Sequence, residues 1–373
     1  MAQLFYRPTW AEVDLSAIAF NIQQIKKKLP SESKIIAVVK ANGYGHGSVQ
    51  VARKALEAGA YGLAVALLEE AIVLREANIE APILVLGWVS PEGAVIAAEK
   101  NITLTFFQKE WLEAVQTIAL PKILHVHMKW DTGMGRIGIR SEQELVEITA
   151  ELAKSKDINL TGVFTHFATA DDSELTYYEE QQKQFESLLA SFQRLWTKPV
   201  AVHIGNSAAA IRFPSQMHNC IRFGISMYGL YPSLYMKAAQ QITLKAAFSL
   251  HSKLVHVKQV EPGASISYGK TYTAKDKEWI GTIPFGYGDG WSRKLQGTDV
   301  LIDGKRMPIV GRICMDQMMI KLDQPYAIGT KVTLIGEQDD SRIDIDEIAA
   351  HLDTINYEVP CMINERVPRL FHN

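Results

Sequence analysis

The chain has 373 residues, 47% of them apolar and 21% charged, with a net charge of −2, which suits a globular protein of two domains. There is no basic run to suit nucleic acid, no apolar run of membrane-spanning length, and no signal-peptide pattern in MAQLFYRPTW. Three scattered cysteines, Cys220, Cys314 and Cys361, fit a reducing, cytoplasmic setting without structural disulfides.

Trp10 to Asp14 alternates apolar and polar residues, and Ser16 to Leu29 has helical periodicity. The run Ile35–Val39 reads as a buried strand ending in Lys40. A loop with Gly43, Gly45 and Gly47 follows, then a helix from Ser48 to Leu56. Strands are expected at 35–40, 61–66, 82–88, 102–107, 122–130, 159–167, 199–204 and 220–226, with helical segments between most of them. Eight strands alternating with helices predict a closed β/α barrel of the TIM type over residues 14–240. The texture changes near residue 240. Alternating strands such as Leu250 to Val257 and Trp279 to Ile283 follow, with turns at Pro262-Gly263 and Asp303-Gly304. Little helix returns before Ile343 to Leu352. Residues 241–373, joined by the segment 1–13, are expected to form a mostly β domain.

In such a barrel the chemistry lies at the C-terminal ends of the strands. Polar residues cluster there: Lys40, then His127 to Asp131 with Arg136 beyond, Thr165-His166, His203 to Ser207, and Arg222 before Gly224 and Ile225. Any one of them alone fits a satisfied buried polar residue, but five strands delivering polar groups to one rim point to a site. A lysine at a strand end can form a Schiff base with a carbonyl. The loops after the seventh and eighth strands are the usual phosphate site of this barrel. They offer the Ser207 hydroxyl, a helix start at Asn206-Ser207, and backbone N–H groups near Gly224 and Ile225. Lysine and phosphate cradle together imply pyridoxal 5′-phosphate. The glycine loop is expected to let backbone and Tyr44 pack beside that cofactor.

A metal site is the competing reading. His125-Val126-His127, with Lys129, His166 and His203, resembles the histidine set of a barrel amidohydrolase. That family carries its H-x-H pair on the first strand and an aspartate on the last. Here the pair is on the fifth and Arg222 is on the eighth, and a guanidinium is a poor neighbour for a cation. The reading adopted has no metal.

Longer motifs run nearly end to end: AVVKANGYGHG at 37–47, KWDTGMGRIG at 129–138, THFATAD at 165–171, HIGNSAA at 203–209, IRFGISMYGL at 221–230, SYGKTY at 267–272, IPFGYGDGWSR at 283–293, GRICMDQ at 311–317 and ERVPR at 365–369. In these the sequence resembles the alanine racemase family. It departs at Gly205 and Gly288, where alanine is common, and at Phe223, where proline is common. A related racemase of serine or of a broader range of amino acids is the runner-up within this chemistry.

The resemblance implies interconversion of L- and D-alanine, supply of D-alanine for peptidoglycan, and a homodimer with shared active sites. Lys40 would hold the cofactor aldehyde and act as base on one substrate face. Tyr268 of the partner subunit would be the base on the other face. A free tyrosine titrates near ~10, so Tyr268 calls for a cationic environment, with His166 and Arg222 as its expected sources. Arg222 would face the ring nitrogen and keep it unprotonated. Tyr44, Ser207, Gly224, Ile225 and Tyr357 would contact the phosphate, with His166 and Asn206 nearby in the cofactor site. Arg136 and a backbone N–H of Met315 from the partner would hold the substrate carboxylate, and Tyr287 with Tyr357 would narrow the entrance.

Lys129 follows from strand alternation. His125, His127, Lys129 and Asp131 share the face expected to point into the barrel, near Arg136. Burial and a neighbouring cation would lower its pKa, and a neutral amine can take up carbon dioxide as a carbamate, which the resemblance also implies. The alternative is an unmodified lysine paired with Asp131.

Overall fold

The computed structural model describes residues 6–373, so the first five residues of the segment 1–13 lie outside it. Two compact units emerge. One contains the chain up to Ser16, the short segment Tyr44–Gly47, and Ala246–Asn373. The other contains Ala17–Gly43 and Ser48–Lys245.

The second unit is a closed barrel of eight parallel strands: β2 (Lys34–Val38), β3 (Gly62–Val65), β4 (Ile83–Val85), β5 (Thr103–Phe106), β6 (Leu124–Lys129), β7 (Ile158–Phe164), β8 (Ala201–Gly205) and β9 (Cys220–Phe223). β2 closes the ring on β9 through pairs such as Ile36 with Arg222. The strands are apolar runs because barrel strands are covered on both faces, inside by one another's side chains and outside by helices. Each connecting helix buries an apolar stripe, as Val51, Ala52 and Ala55 do in Ser48–Glu57.

The first unit is built on a ten-stranded sheet. Its strands are β1 (Thr9–Asp14), β10 (Phe248–Lys253), β11 (His256–Val260), β14 (Glu278–Ile283), β15 (Asp299–Ile302), β16 (Lys305–Val310), β17 (Met318–Leu322), β18 (Lys331–Gln338), β19 (Ser341–Ile343) and β20 (Arg369–His372). The order is β11-β14-β17-β16-β15-β18-β10-β1-β20, with β19 on β18, while β12 (Ser265–Ile266) and β13 (Tyr272–Thr273) form a separate ribbon. β1 enters this sheet because its alternating burial presents Thr9, Ala11 and Val13 to the core. It pairs antiparallel with β10 and parallel with β20. No described helix is long and apolar enough to cross a membrane.

Candidate active site

Lys40 lies just beyond β2, not within it as the apolar run suggested. Strand pairing ends at Val38, and the Val39 N–H still donates to the Ala64 carbonyl at 2.8 Å. The chain then turns left-handed through Ala41 (φ 52°), Asn42 (φ 50°), Gly43 (φ 63°) and Tyr44 (φ 51°). Three of these residues have a Cβ, and each costs about 1 kcal/mol or more in that region, least for asparagine. Local bonds offset the cost. Gly43 N–H donates to the Val39 carbonyl at 2.8 Å, Ser48 N–H to Asn42 Oδ1 at 2.9 Å, and Ala41 N–H to Glu70 Oε1 at 2.5 Å. The other Glu70 oxygen accepts from the Ala66 and Leu67 N–H groups, so one carboxylate caps its own helix and fixes the Lys40 turn. An acidic residue in the first turn of its helix is an ordinary place for Glu70, but nothing in the sequence signals its bond to Ala41.

A Cβ on Gly45 (φ 80°) would collide with the Pro360 carbonyl, so a close approach to protein backbone requires glycine there.

Arg222 is buried at the end of β9. Its Nη1 donates to the His203 carbonyl (2.6 Å) and to His203 Nδ1 (2.8 Å). Its Nη2 reaches the Thr165 carbonyl (2.7 Å), the Ile204 carbonyl (3.2 Å) and His166 Nδ1 (3.3 Å). No carboxylate pairs with it among the described residues, and Nε takes part in none of these bonds. Burial lowers its pKa to about 10, where it is still charged near neutrality. His203 continues the chain: its Nε2 lies 2.8 Å from His127 Nδ1, and its ring stacks on Phe164. Burial, then the Arg222 charge, push His166 and His203 well below the usual histidine range, and burial first brings His127 to about 3. His166 is therefore neutral. The expectation that it supplies positive charge toward a tyrosine is corrected: Arg222 carries the charge, and burial withholds it from the imidazole.

Lys129 is buried at the end of β6, as strand alternation predicts. Its Nζ donates to the Ile137 carbonyl at 2.7 Å. The alternative pairing with Asp131 does not form, because the Asp131 carboxylate accepts from the Gly133, Gly135 and Arg136 N–H groups and so holds the loop. Burial and the nearby Arg136 lower the Lys129 pKa to about 8.

Beyond β8, Asn206 caps the helix Ser207–Arg212 by accepting from Ala209 N–H at 3.0 Å. Ser207 Oγ accepts from Gly224 N–H at 3.0 Å, joining the two loops of the expected phosphate cradle. Hydroxyl, helix start and the buried Gly224-Ile225 backbone are there, and the donor set includes no carboxylate. That chemistry fits a phosphate dianion. A basic, half-buried Lys40 and an arginine with a remaining N–H fit the rest of pyridoxal phosphate. The histidines do not gather as a metal set. His127 pairs with His203, His125 faces Asn159, and no three His, Cys, Asp or Glu side chains are grouped as ligands among the described residues.

The first unit gathers the remaining expected residues on two patches. Ser267, beside Tyr268, donates through Oγ to the Arg312 carbonyl at 2.6 Å. Tyr287 and Gly288 donate N–H groups to the Cys314 and Met315 carbonyls at 3.0 and 2.8 Å. Tyr268, Tyr287 and Met315 thus sit on adjoining loops, 70%, 42% and 52% exposed, and Met315 N–H has no bonding partner among the described residues. Elsewhere the Tyr44 and Tyr357 rings lie 6.2 Å apart.

A closed parallel barrel with a lysine turn, a buried arginine and the linked Ser207 and Gly224 loops at one rim, followed by a β unit, fits the class of barrel enzymes that use pyridoxal phosphate. The alanine racemase N-terminal domain family matches residues 13–232, and its C-terminal domain family matches 247–371. The alanine racemase of Geobacillus stearothermophilus is 55% identical over 368 residues, covering 98% of this chain and 94% of that protein. The crystal structure of the Bacillus anthracis alanine racemase with bound L-Ala-P superposes with a TM-score of 0.96 at 48% identity, covering 100% of this chain and 96% of that one. A histidine racemase from Leuconostoc mesenteroides shares the fold at 32% identity and TM-score 0.89, with full coverage of both chains. The chain belongs to the alanine racemase family, which is pyridoxal-phosphate dependent.

Proposed function

We propose that the chain interconverts L- and D-alanine in the cytoplasm as a homodimer with shared sites, supplying D-alanine for peptidoglycan. The observation that carries this reading is the common rim of the barrel. Lys40, the carboxylate-free Arg222 and the Ser207–Gly224 cradle all stand at C-terminal strand ends. When bound, pyridoxal phosphate supplies an aldehyde for amines and a ring that draws electron density from the substrate α-carbon.

Lys40 would hold that aldehyde, and its amine would be the base that takes or returns the α-proton on one face. Tyr268 of the partner subunit holds the proton on the opposite face, which is what inversion requires. Its exposure in the single chain supports a partner-facing role. Arg222 would offer a cationic donor to the ring nitrogen and would keep that nitrogen free of a proton. His166 bridges Arg222 toward the tyrosine as a neutral hydrogen-bonding group. Ser207, Gly224, Ile225 and the Asn206-capped helix start bind the phosphate. Arg136 and the N–H of Met315 of the partner subunit orient the substrate carboxylate. Tyr44 and Tyr357 are assigned phosphate contacts, and Tyr287 the entrance, on the family resemblance alone.

Lys129 carries a carbamate in this reading. A lysine poised near pH 8 has a reactive neutral fraction. The carbamate would give the Arg136 guanidinium the anionic partner that Asp131 does not provide.

Incubation of the cofactor-loaded protein with single L-amino acids, followed by chiral chromatography, tests the assignment. D-Alanine is expected as the main product. A larger yield from serine or histidine would transfer the assignment to that substrate.

A further inference from the structure

A cavity of about 320 Å³ opens at the other end of the barrel. Its lining includes the first residues of six strands: Lys34, Gly62, Ile83, Thr103, Ala201 and Cys220. The walls combine apolar side chains, Ile36, Leu63 and Leu84, with the polar Thr103, Thr161 and His125, and His127 also lines it.

His127 is the telling residue. Arg222 can only donate, so His203 Nδ1 accepts and His203 Nε2 carries the proton. That proton is donated to His127 Nδ1, which leaves His127 Nε2 as a donor. The ring is buried and its Nε2 has no partner among the described residues, although the cavity reaches it. Gly162 leaves room for the ring: a Cβ there would lie 2.5 Å from it. The hydrogen-bond chain from the Arg222 cation thus runs through His203 to His127 and ends in a donor without an acceptor among the described residues. Exposed Lys34 adds a cation at the mouth. The one carboxylate of the lining, Glu80, is also exposed and interacts with the Arg75 guanidinium.

We propose that this cavity binds a small monocarboxylate with an apolar tail, its carboxylate oxygen accepting from His127 Nε2–H. The preference for an anion follows from the direction of the chain and from Lys34. The preference for an apolar tail follows from Ile36, Leu63 and Leu84.

The test uses the cofactor-loaded protein and 4-fluorobenzoate as probe, followed by fluorine NMR line broadening with saturating alanine present. Broadening is expected to persist with alanine, because the cavity is at the opposite end from the rim. It should weaken about tenfold in affinity in His127→Phe, which removes the donor. It should weaken about two- to fivefold in Lys34→Ala, whose exposed side chain is dispensable for folding. Three results overturn the proposal: no broadening with millimolar probe, displacement of the probe by alanine, or unchanged affinity in the variants. Should His127→Phe fail to fold, unchanged affinity in Lys34→Ala overturns it alone.

Discussion

Lys129 concentrates the tension of the site in one side chain. Its ammonium is buried beside Arg136, and its single named bond goes to a neutral carbonyl. With a folded pKa of about 8 against an ordinary 10.5, the unfolded chain holds more protons between those values. Stability therefore rises with pH across that window, and the penalty is fully present below it. In carbon-dioxide-free buffer the difference in urea midpoint between the wild type and Lys129→Met should shrink as pH rises from 8 toward 10. The full effect is of the order of 3 kcal/mol at most. A pH-independent difference would mean that the buried ammonium is not strained. With bicarbonate, the penalty below pH 8 should fall, and Lys129→Ala should regain racemase activity when short carboxylates are added. Full activity without them would show that no carbamate is needed.

At the scale of elements, the turn after β2 is where the fold meets the chemistry. Gly45 combines a positive φ with a near approach to Pro360. Gly45→Ala should cost several kcal/mol, read as a large fall in urea midpoint, and an unchanged midpoint would show that the loop yields. Glu70→Gln removes the charge from the cap of the Lys40 turn. It should weaken cofactor binding about three- to tenfold while leaving the barrel folded, as measured by cofactor titration.

The eight barrel strands were legible because each is a short apolar run set between helical periods. The polar rim was legible because barrel topology sends strand ends to one face. The left-handed turn was not, since Ala41 and Asn42 do not announce positive φ. Nor was the role of Glu70 on Ala41, or the pairing of His127 with His203, because both join residues far apart in the chain. The Lys129–Asp131 pairing considered from sequence spacing fails for a local reason: backbone N–H groups of the following loop claim the carboxylate first.

In the whole molecule, the proposed chemistry depends on two copies. Tyr268, Tyr287 and Met315 are brought together on exposed loops, and the Met315 N–H has no partner among the described residues. Mixing inactive Tyr268→Phe chains with inactive Lys40→Ala chains should restore activity in hybrid dimers, because one of the two sites then has both bases. No recovery, under conditions that demonstrably exchange subunits, would count against shared sites. The most direct test of two-base racemisation is deuterium wash-in at the α-carbon of each alanine enantiomer, with Tyr268→Phe in deuterated water. If Lys40 and Tyr268 serve opposite faces, exchange survives for the enantiomer whose proton faces Lys40 and collapses for the other. Equal loss of exchange for both enantiomers would contradict the assignment.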